Sequence, residues 1–419
     1  MSDTKITSIK YRTVFDSRGV ETLEVDMSTK AGFARIGAPF GAPGSRGEFE
    51  CPAYAPGGLA ESIKILEKTI IPALIGMDAV EQEKIDALLH EIDGTANFEG
   101  IGGNTSTVLS TATAKAAADS LKIPLYRLLG TEGRFSLPCP LGNVIGGGAH
   151  SLGPAPDMQE HMVLPIGAKT VREAIETNLM VHRRVGKLLE KKDPGFSGGM
   201  DDEDAWAANL NDVEALEVIM EAKKQIEDEV GFKIGMGIDL AADRFWNGDK
   251  KKYCYEREGA ERTTEQQLQF VGGLIERFEL TYCEDAFRSS DYASFAALNK
   301  GFGARCVICA DDIYASNPGR TQVGIGQKCA RAMIVKPNQV GTISGARKTA
   351  ALATANGVRP IISNRSGETP DDSISHLAVA WNAASIKAGV RGGARMVKLN
   401  ELIRIEQQAG DIKMVPWAA

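Results

Sequence analysis

The chain has 419 residues, 43% of them hydrophobic and 25% charged, with a formal net charge of −7. That balance describes an ordinary globular protein of two to three domains with a large core. No basic stripe invites nucleic acid, and no apolar run approaches the roughly 20 residues of a membrane helix. The start, MSDTKITSIKYRTVF, lacks the apolar stretch of a signal peptide, which leads us to expect a cytoplasmic protein. The first 135 residues read as a smaller α+β unit. KITSIKYRTVFD and ETLEVDMSTKAG carry β-branched residues in partial alternation, with a turn at DSRG. Residues 58–92 and 104–122 are expected to be helical. The second stretch, NTSTVLSTATAKAAADSL, opens at an N-cap on Asn104 and is rich in small residues suited to close packing. Glycine and proline in LLGTEGRFSLPCP mark a boundary near residue 135. A domain of residues 1–135 is therefore expected before one of residues 136–419.

The second part has a rhythm. Short apolar runs end in polar residues at Asp239, Glu284, Asp311, Lys336, Ser363 and Lys387. From Glu284 onward the steps are 27, 25, 27 and 24 residues, with helical patterns such as SGARKTAALATANG between them. That is the length of a strand, a helix and two loops, so the spacing predicts repeated βα units, a parallel sheet and an α/β barrel. The longer step from Asp239 to Glu284 holds a polar insertion, WNGDKKKYCYEREGAERTTEQ, expected to be a long loop. Catalytic groups of such barrels stand at the C-terminal strand ends, which is where these acids and lysines fall.

Seven cysteines, odd in number and scattered, fit a reducing compartment rather than a disulfide framework. Cys306 and Cys309 form a CxxC within an apolar strand, where their side chains point to opposite faces. Three carboxylates, Asp239, Glu284 and Asp311, with no His or Cys partner, make an oxygen-ligand site for Mg²⁺ or Mn²⁺. Lys336 and Lys387 would face them across the barrel mouth. A lysine beside another cation and a metal is expected to have a lowered pKa and to act as a base. A metal opposite a lysine base suits proton abstraction beside a carboxylate, because the metal neutralises the charge that develops.

Several ordered stretches carry a resemblance to one family. They are DSRG at 16–19, NVIGGGAH at 143–150, MQEHMVLPIGA at 158–168, GIDLAA at 237–242, CED at 283–285 and ADDIYASNP at 310–318. Further on come IVKPNQVGT at 334–342, SNRSGETPDD at 363–372, SIKAG at 385–389 and LNELIRIE at 399–406. From Asp16 to about Glu406 the chain resembles the enolase (phosphopyruvate hydratase) family. The resemblance implies a lyase with a small N-terminal α+β domain capping a TIM-type barrel. Its implied reaction is the reversible dehydration of 2-phosphoglycerate to phosphoenolpyruvate. By the same resemblance, Asp239, Glu284 and Asp311 hold magnesium. Lys336 takes the proton from C2, and Lys387 neutralises carboxylate and enolate. Arg365 and Ser366 bind the substrate phosphate, for which a guanidinium is suited. His150 and Glu160 match the mobile-loop histidine and its acidic neighbour, whereas His90, His161, His182 and His376 carry no motif. DDEDAWAANL at 201–210 aligns with the family's GDEGGFAPN-type run and places Glu203 at the general acid. The bland alternative for that run is a solvated acidic loop. A small phosphorylated acid as partner and a homo-oligomer, dimer or octamer, are also implied by the family.

Three departures stand out. Pro43 occupies the position of a loop serine that brings a second magnesium in the family, with Ser45 two residues on, so a single metal site is expected. Asn364 replaces a histidine, and an amide cannot titrate. The loop after His150 is one residue longer than the family's and carries Pro154 and Pro156, which stiffens a lid. Two alternatives therefore stay open: a paralogue using the same enolate chemistry on a related phospho-, phosphono- or phosphino-carboxylate, and a non-catalytic enolase-like binding protein.

Overall fold

The computed structural model describes residues 3–41, 47–130 and 135–417, so Pro43 and Ser45 lie outside the described residues. Three antiparallel strands open the chain: β1 (Ile6–Phe15), β2 (Glu21–Thr29) and β3 (Phe33–Gly37). The DSRG turn forms because Asp16 Oδ1 accepts the backbone N–H groups of Arg18 and Val20 at 2.8 and 2.9 Å, while Gly19 takes φ 75°. Alternation in β2 buries Leu23, Val25 and Met27 completely. They face the helix Gly103–Leu121, which packs on β2 and β3.

Two expectations for this region need correction. Asn104 is not the N-cap: Gly102, at φ 90°, caps the helix and Asn104 lies inside it, accepting from Asn338 Nδ2 at 3.0 Å. The stretch 58–92 is also not one helix. It runs from Leu59 to Leu74 through a π turn, breaks at Gly76 (φ 90°), and resumes as Gln82–Asp93. Glycine admits the left-handed backbone that this break requires.

Eight strands then close into a barrel: β4 (Cys139–Gly146), β5 (Glu160–Leu164), β6 (Gly235–Asp239), β7 (Tyr282–Glu284), β8 (Val307–Ala310), β9 (Ala332–Val335), β10 (Arg359–Ser363) and β11 (Ser385–Lys387). Pairing of Ser385 with Cys139 and of Lys387 with Leu141 closes the ring. The sheet is not parallel throughout. β5 runs antiparallel to both β4 and β6. The segment from β4 to β5 contains only a one-turn 3₁₀ helix, Gly148–His150, and without a crossover helix the chain returns as a hairpin. This reversal brings the first residue of β5, Glu160, to the end of the barrel where the other strands finish.

Inside the barrel pack Leu141, Met162, Leu164, Tyr282, Val307, Cys309 and Ile334; Cys306, Ile308 and Met333 face the helix layer. The CxxC cysteines therefore do point to opposite faces, and all seven thiols are free. The insertion after Asp239 is more ordered than a loop. Trp246–Asn247, Lys252–Tyr255 and Ala260–Arg262 form a small antiparallel sheet, and Arg262 stacks over Phe270 at 3.8 Å.

Candidate active site

The acids and lysines identified above sit at one mouth of the barrel because each ends a strand or follows its last residue. Strand register places Glu160 opposite Asp239 and Asp239 opposite Glu284, a row of three carboxylates on three adjacent strands. Lys387 ends β11. Its Nζ lies 3.1 Å from Glu160 Oε1 and 2.9 Å from both Asp239 Oδ2 and Glu284 Oε2. Burial opposes the Lys387 charge, but Asp239, Glu160 and Glu284 outweigh it and hold the ammonium well above its ordinary value. Glu284 is also bonded by the Tyr282 hydroxyl from within the barrel.

Asp311 follows β8 and Lys336 follows β9, and the two form a direct ion pair. Gln339 Nε2 holds the other Asp311 oxygen at 3.2 Å. The lowering expected for Lys336 supposes a metal beside it; with the protein's own charges alone the direction is upward. Burial works to lower it, but the charges of Asp311, Glu50 and Asp312 outweigh burial and Arg365 together and raise it. Asp285 supports this wall by accepting the backbone N–H groups of Asp311 and Asp312 at 2.9 and 2.8 Å. A cavity of about 300 Å³ opens over Asp239, Asp311, Lys336 and Gln159.

The donor set of Asp239, Glu284 and Asp311 is all oxygen, as a hard divalent cation requires. Glu284 Oε1 is buried with no hydrogen-bond partner, the kind of atom a cation satisfies. The residues present fit magnesium.

A second group lies beside this row. Ligand atoms of His150, Glu160 and Glu203 all lie within 4.8 Å of one another. His150 Nδ1 meets Asp202 Oδ1 at 2.7 Å, and Nε2 lies 3.9 Å from Glu160 Oε1. Burial lowers the imidazole, but Glu203, Asp202 and Glu160 push it up to about 9. Glu160 is itself raised to about 7, chiefly by burial and against the pull of Lys387. Burial also raises Glu203, yet His150, Arg395, Lys387 and Lys336 outweigh burial and leave it below its ordinary value.

The loop carrying Glu203 is not the solvated acidic loop of the bland alternative, for Glu203 is buried. Asp201 Oδ1 accepts the N–H groups of Glu203 and Ala205 at 2.9 and 2.8 Å. Asp204 stands at φ 63°, where the family's run has glycine, and Asp is among the few other residues that tolerate it. Asn364 Nδ2 approaches Glu203 Oε1 at 3.4 Å, so the residue that replaces the family's histidine contacts Glu203.

Arg365 and Ser366 follow β10. The Arg365 guanidinium is buried against Glu50, with Nη2 at 3.1 and 2.8 Å from its two oxygens, and against Asn338 Oδ1 at 3.1 Å. Ser366 Oγ accepts from Arg18 Nη1 at 3.4 Å. All ten residues singled out in the sequence thus gather at one mouth. Gln159, Glu50, Arg18 and Arg395 were missed. Arg18 and Gln159 lie in quoted stretches, DSRG and MQEHMVLPIGA, so the motifs held a usable signal for them. Glu50 stands alone between Phe49 and Cys51 and offered none.

Comparison with known proteins agrees with this arrangement. The family models described as "Enolase, N-terminal domain" and "Enolase, C-terminal TIM barrel domain" match residues 6–129 and 134–416. Among curated relatives, "Enolase" of Methanosphaera stadtmanae is 45% identical over 406 residues, 97% of this chain and 98% of that protein. "Enolase" of Methanothermobacter thermautotrophicus is 46% identical over 403 residues, 96% of each chain. "Enolase" of Archaeoglobus fulgidus is 43% identical over 410 residues, 98% of this chain and 99% of that protein. With both domains matched in order and nearly the full length shared, the chain belongs to the enolase family.

Proposed function

We propose that this protein is a magnesium-dependent lyase that reversibly dehydrates 2-phosphoglycerate to phosphoenolpyruvate. The observation that supports it best is the meeting, at one mouth, of a carboxylate row held by Lys387 with a His150–Glu160–Glu203 group that shares Glu160 with it. Dehydration beside a carboxylate needs those two halves: one to stabilise an enolate and one to assist the departing hydroxyl.

Asp239, Glu284 and Asp311 would hold the metal. Magnesium, when bound, supplies positive charge against the substrate carboxylate and the enolate formed from it. Lys336, paired with Asp311 as an ammonium, must first give up a proton to solvent; as the neutral amine it accepts the C2 proton, and the C–H electron pair moves into the carboxylate as the enolate. The fixed ammonium of Lys387 lies where that negative charge grows. When the enolate collapses, the C3–O bond breaks and the hydroxyl leaves as water with a proton from Glu203. Glu203 must take up a proton before this step, and Glu160, His150 and Asn364 surround it at hydrogen-bond or near range. Arg365 and Ser366 bind the phosphate. The division into a capping unit of residues 1–135 and a catalytic unit of residues 136–419 belongs to the same reading. So do a cytoplasmic location and a homo-oligomer, dimer or octamer, which rest on the family resemblance; no described helix is long and apolar enough to cross a membrane.

A coupled absorbance assay for phosphoenolpyruvate with Mg²⁺ tests the proposal. The expected result is turnover that a Lys336→Ala variant lacks, and equal rates in both proteins would overturn it. The contact of Asn364 with Glu203 favours, as a second reading, a paralogue acting on a related phosphono- or phosphino-carboxylate. Faster turnover of such an acid than of 2-phosphoglycerate would support that reading; turnover of 2-phosphoglycerate alone would remove it.

A further inference from the structure

Arg395 takes no step in the chemistry described so far, yet among the described residues it is the largest side chain that is fully buried. It sits in the first turn of the helix Gly393–Ala409, just after Lys387. Its Nη2 donates to the Ser366 carbonyl at 3.0 Å and lies 3.5 Å from Glu203 Oε1, while Nη1 lies 3.9 Å from Asp204 Oδ2. The recess it fills is lined by glycine. A Cβ on Gly389 would fall 2.5 Å from Arg395 Cδ, and a Cβ on Gly392 would fall 1.9 Å from Asp204 Oδ2. Both glycines have positive φ, 66° and 91°, so a side chain at either is disfavoured twice over. The same helix sends in a second buried cation one turn on. Lys398 Nζ bonds the Thr369 carbonyl at 3.0 Å and pairs with Glu368 Oε2 at 2.8 Å. Glu368 Oε1 in turn accepts the Arg365 N–H at 2.9 Å.

Two side chains three residues apart on one helix face therefore grip the loop of Arg365 and Ser366 from below. They are not equivalent. Among the described residues, the Lys398 ammonium bonds only that loop and its own helix, whereas the Arg395 guanidinium also reaches Glu203 on a loop nearly 200 positions earlier in the chain. With its side chain 1% exposed, Arg395 has no surface to offer a substrate.

We infer that Arg395 is a positioning residue that holds the Glu203 carboxylate in register with the Ser366 loop, so that hydroxyl departure depends on it while C2 proton removal does not. This rests on the proposed acid role of Glu203. A purely structural guanidinium would support both half-reactions alike.

The test follows the two half-reactions separately in the full-length protein with Mg²⁺. 2-Phosphoglycerate deuterated at C2 is incubated in ordinary water. Mass spectrometry reads loss of the label from the unreacted acid, and absorbance reads phosphoenolpyruvate. Each variant's melting temperature is recorded alongside. Arg395→Met should lower elimination roughly a hundredfold, the cost of a misplaced catalytic group, and leave label loss within a few-fold of wild type with KM little changed. Arg395→Lys, which keeps the charge, should recover part of the elimination rate and covers the case in which the methionine variant does not fold. Lys398→Met should lower both half-reactions together if it lowers either. Equal losses of both half-reactions in Arg395→Met, or in Arg395→Lys if the first is unfolded, would overturn the inference. Glu203→Gln separates the two readings. If it retains label loss but not elimination, the acid role stands and the Arg395 result decides the present inference. If it eliminates normally or loses both, the acid role falls and the inference falls with it.

Discussion

Replacing Lys387 by Met removes one charge that serves three buried acids. In the folded chain the ammonium lies 2.9–3.1 Å from Glu160, Asp239 and Glu284 and its side chain is 6% exposed. At about 3 Å and an effective dielectric of about 20, each contact is worth roughly 5 kcal/mol of gross attraction. Most of that is offset by the cost of taking the ammonium out of water, and measured losses on breaking a buried pair run at about 3–5 kcal/mol. Three acids on one cation put Lys387→Met at the upper end of that range. Urea unfolding followed by circular dichroism, in chelator at neutral pH, measures it. An exposed pair gives the control: Arg277 lies at hydrogen-bond distance from Glu217, but its side chain is 56% exposed, so Arg277→Ala should cost less than about 1 kcal/mol. Millimolar Mg²⁺ should narrow the Lys387→Met deficit, because a divalent cation among the same carboxylates replaces the missing charge. A loss below about 1 kcal/mol in chelator, or a deficit that Mg²⁺ leaves untouched, would refute the reasoning.

His150, raised from 6.5 to about 9, contributes stability that is complete below pH 6.5 and lost as pH rises through about 9. The expected size is about 3 kcal/mol, so a His150→Gln variant should lose the corresponding slope between those pH values; an unchanged slope counts against the assignment. Gly389→Ala places a Cβ at φ 66° and 2.5 Å from Arg395 Cδ, so it should destabilise by at least about 1 kcal/mol and lower the elimination rate. A melting curve and an assay check both effects, and a neutral variant contradicts the recess described for Arg395. Of the seven cysteines only Cys254 is partly exposed, so a thiol reagent should titrate one group rapidly in the native protein and the rest on unfolding. Fast reaction of Cys306 or Cys309 would show that the strand is more open than described.

The barrel and its strand-end acids and lysines could be read in advance because both are periodic, whereas His150, Glu160, Glu203, Arg365 and Ser366 came from the family resemblance alone. Apolar runs ending in Glu284, Asp311, Lys336, Ser363 and Lys387 recur at the length of one βα unit, and strand polarity then places every ending at the same mouth. Direction is what such a pattern lacks. EHMVLP reads the same as a parallel or an antiparallel strand, and only the helix-free stretch before it hinted that β5 turns back. Asn104 looked like a helix cap because its type is right, but Gly102, free to adopt φ 90°, ends the turn two residues earlier. The polar insertion after Asp239 hid its short strands because Lys252–Tyr255 mixes lysine with aromatic residues. Partners distant in sequence could not be read at all. Glu50 meets Arg365 across 315 positions, and Arg395 reaches Glu203 only after the barrel has closed. That Asp311 pairs directly with the Lys336 amine was hidden for a related reason: the spacing shows which charges share the mouth but not which of them touch.

The central claim is that Lys336, facing the carboxylate row, removes the C2 proton of 2-phosphoglycerate. Proton NMR of that acid in heavy water with Mg²⁺ reads this event directly, whether or not elimination follows. The account predicts deuterium at C2 with the wild-type protein and none above background with Lys336→Met. Equal incorporation by the two proteins, or none by the wild type, would contradict it.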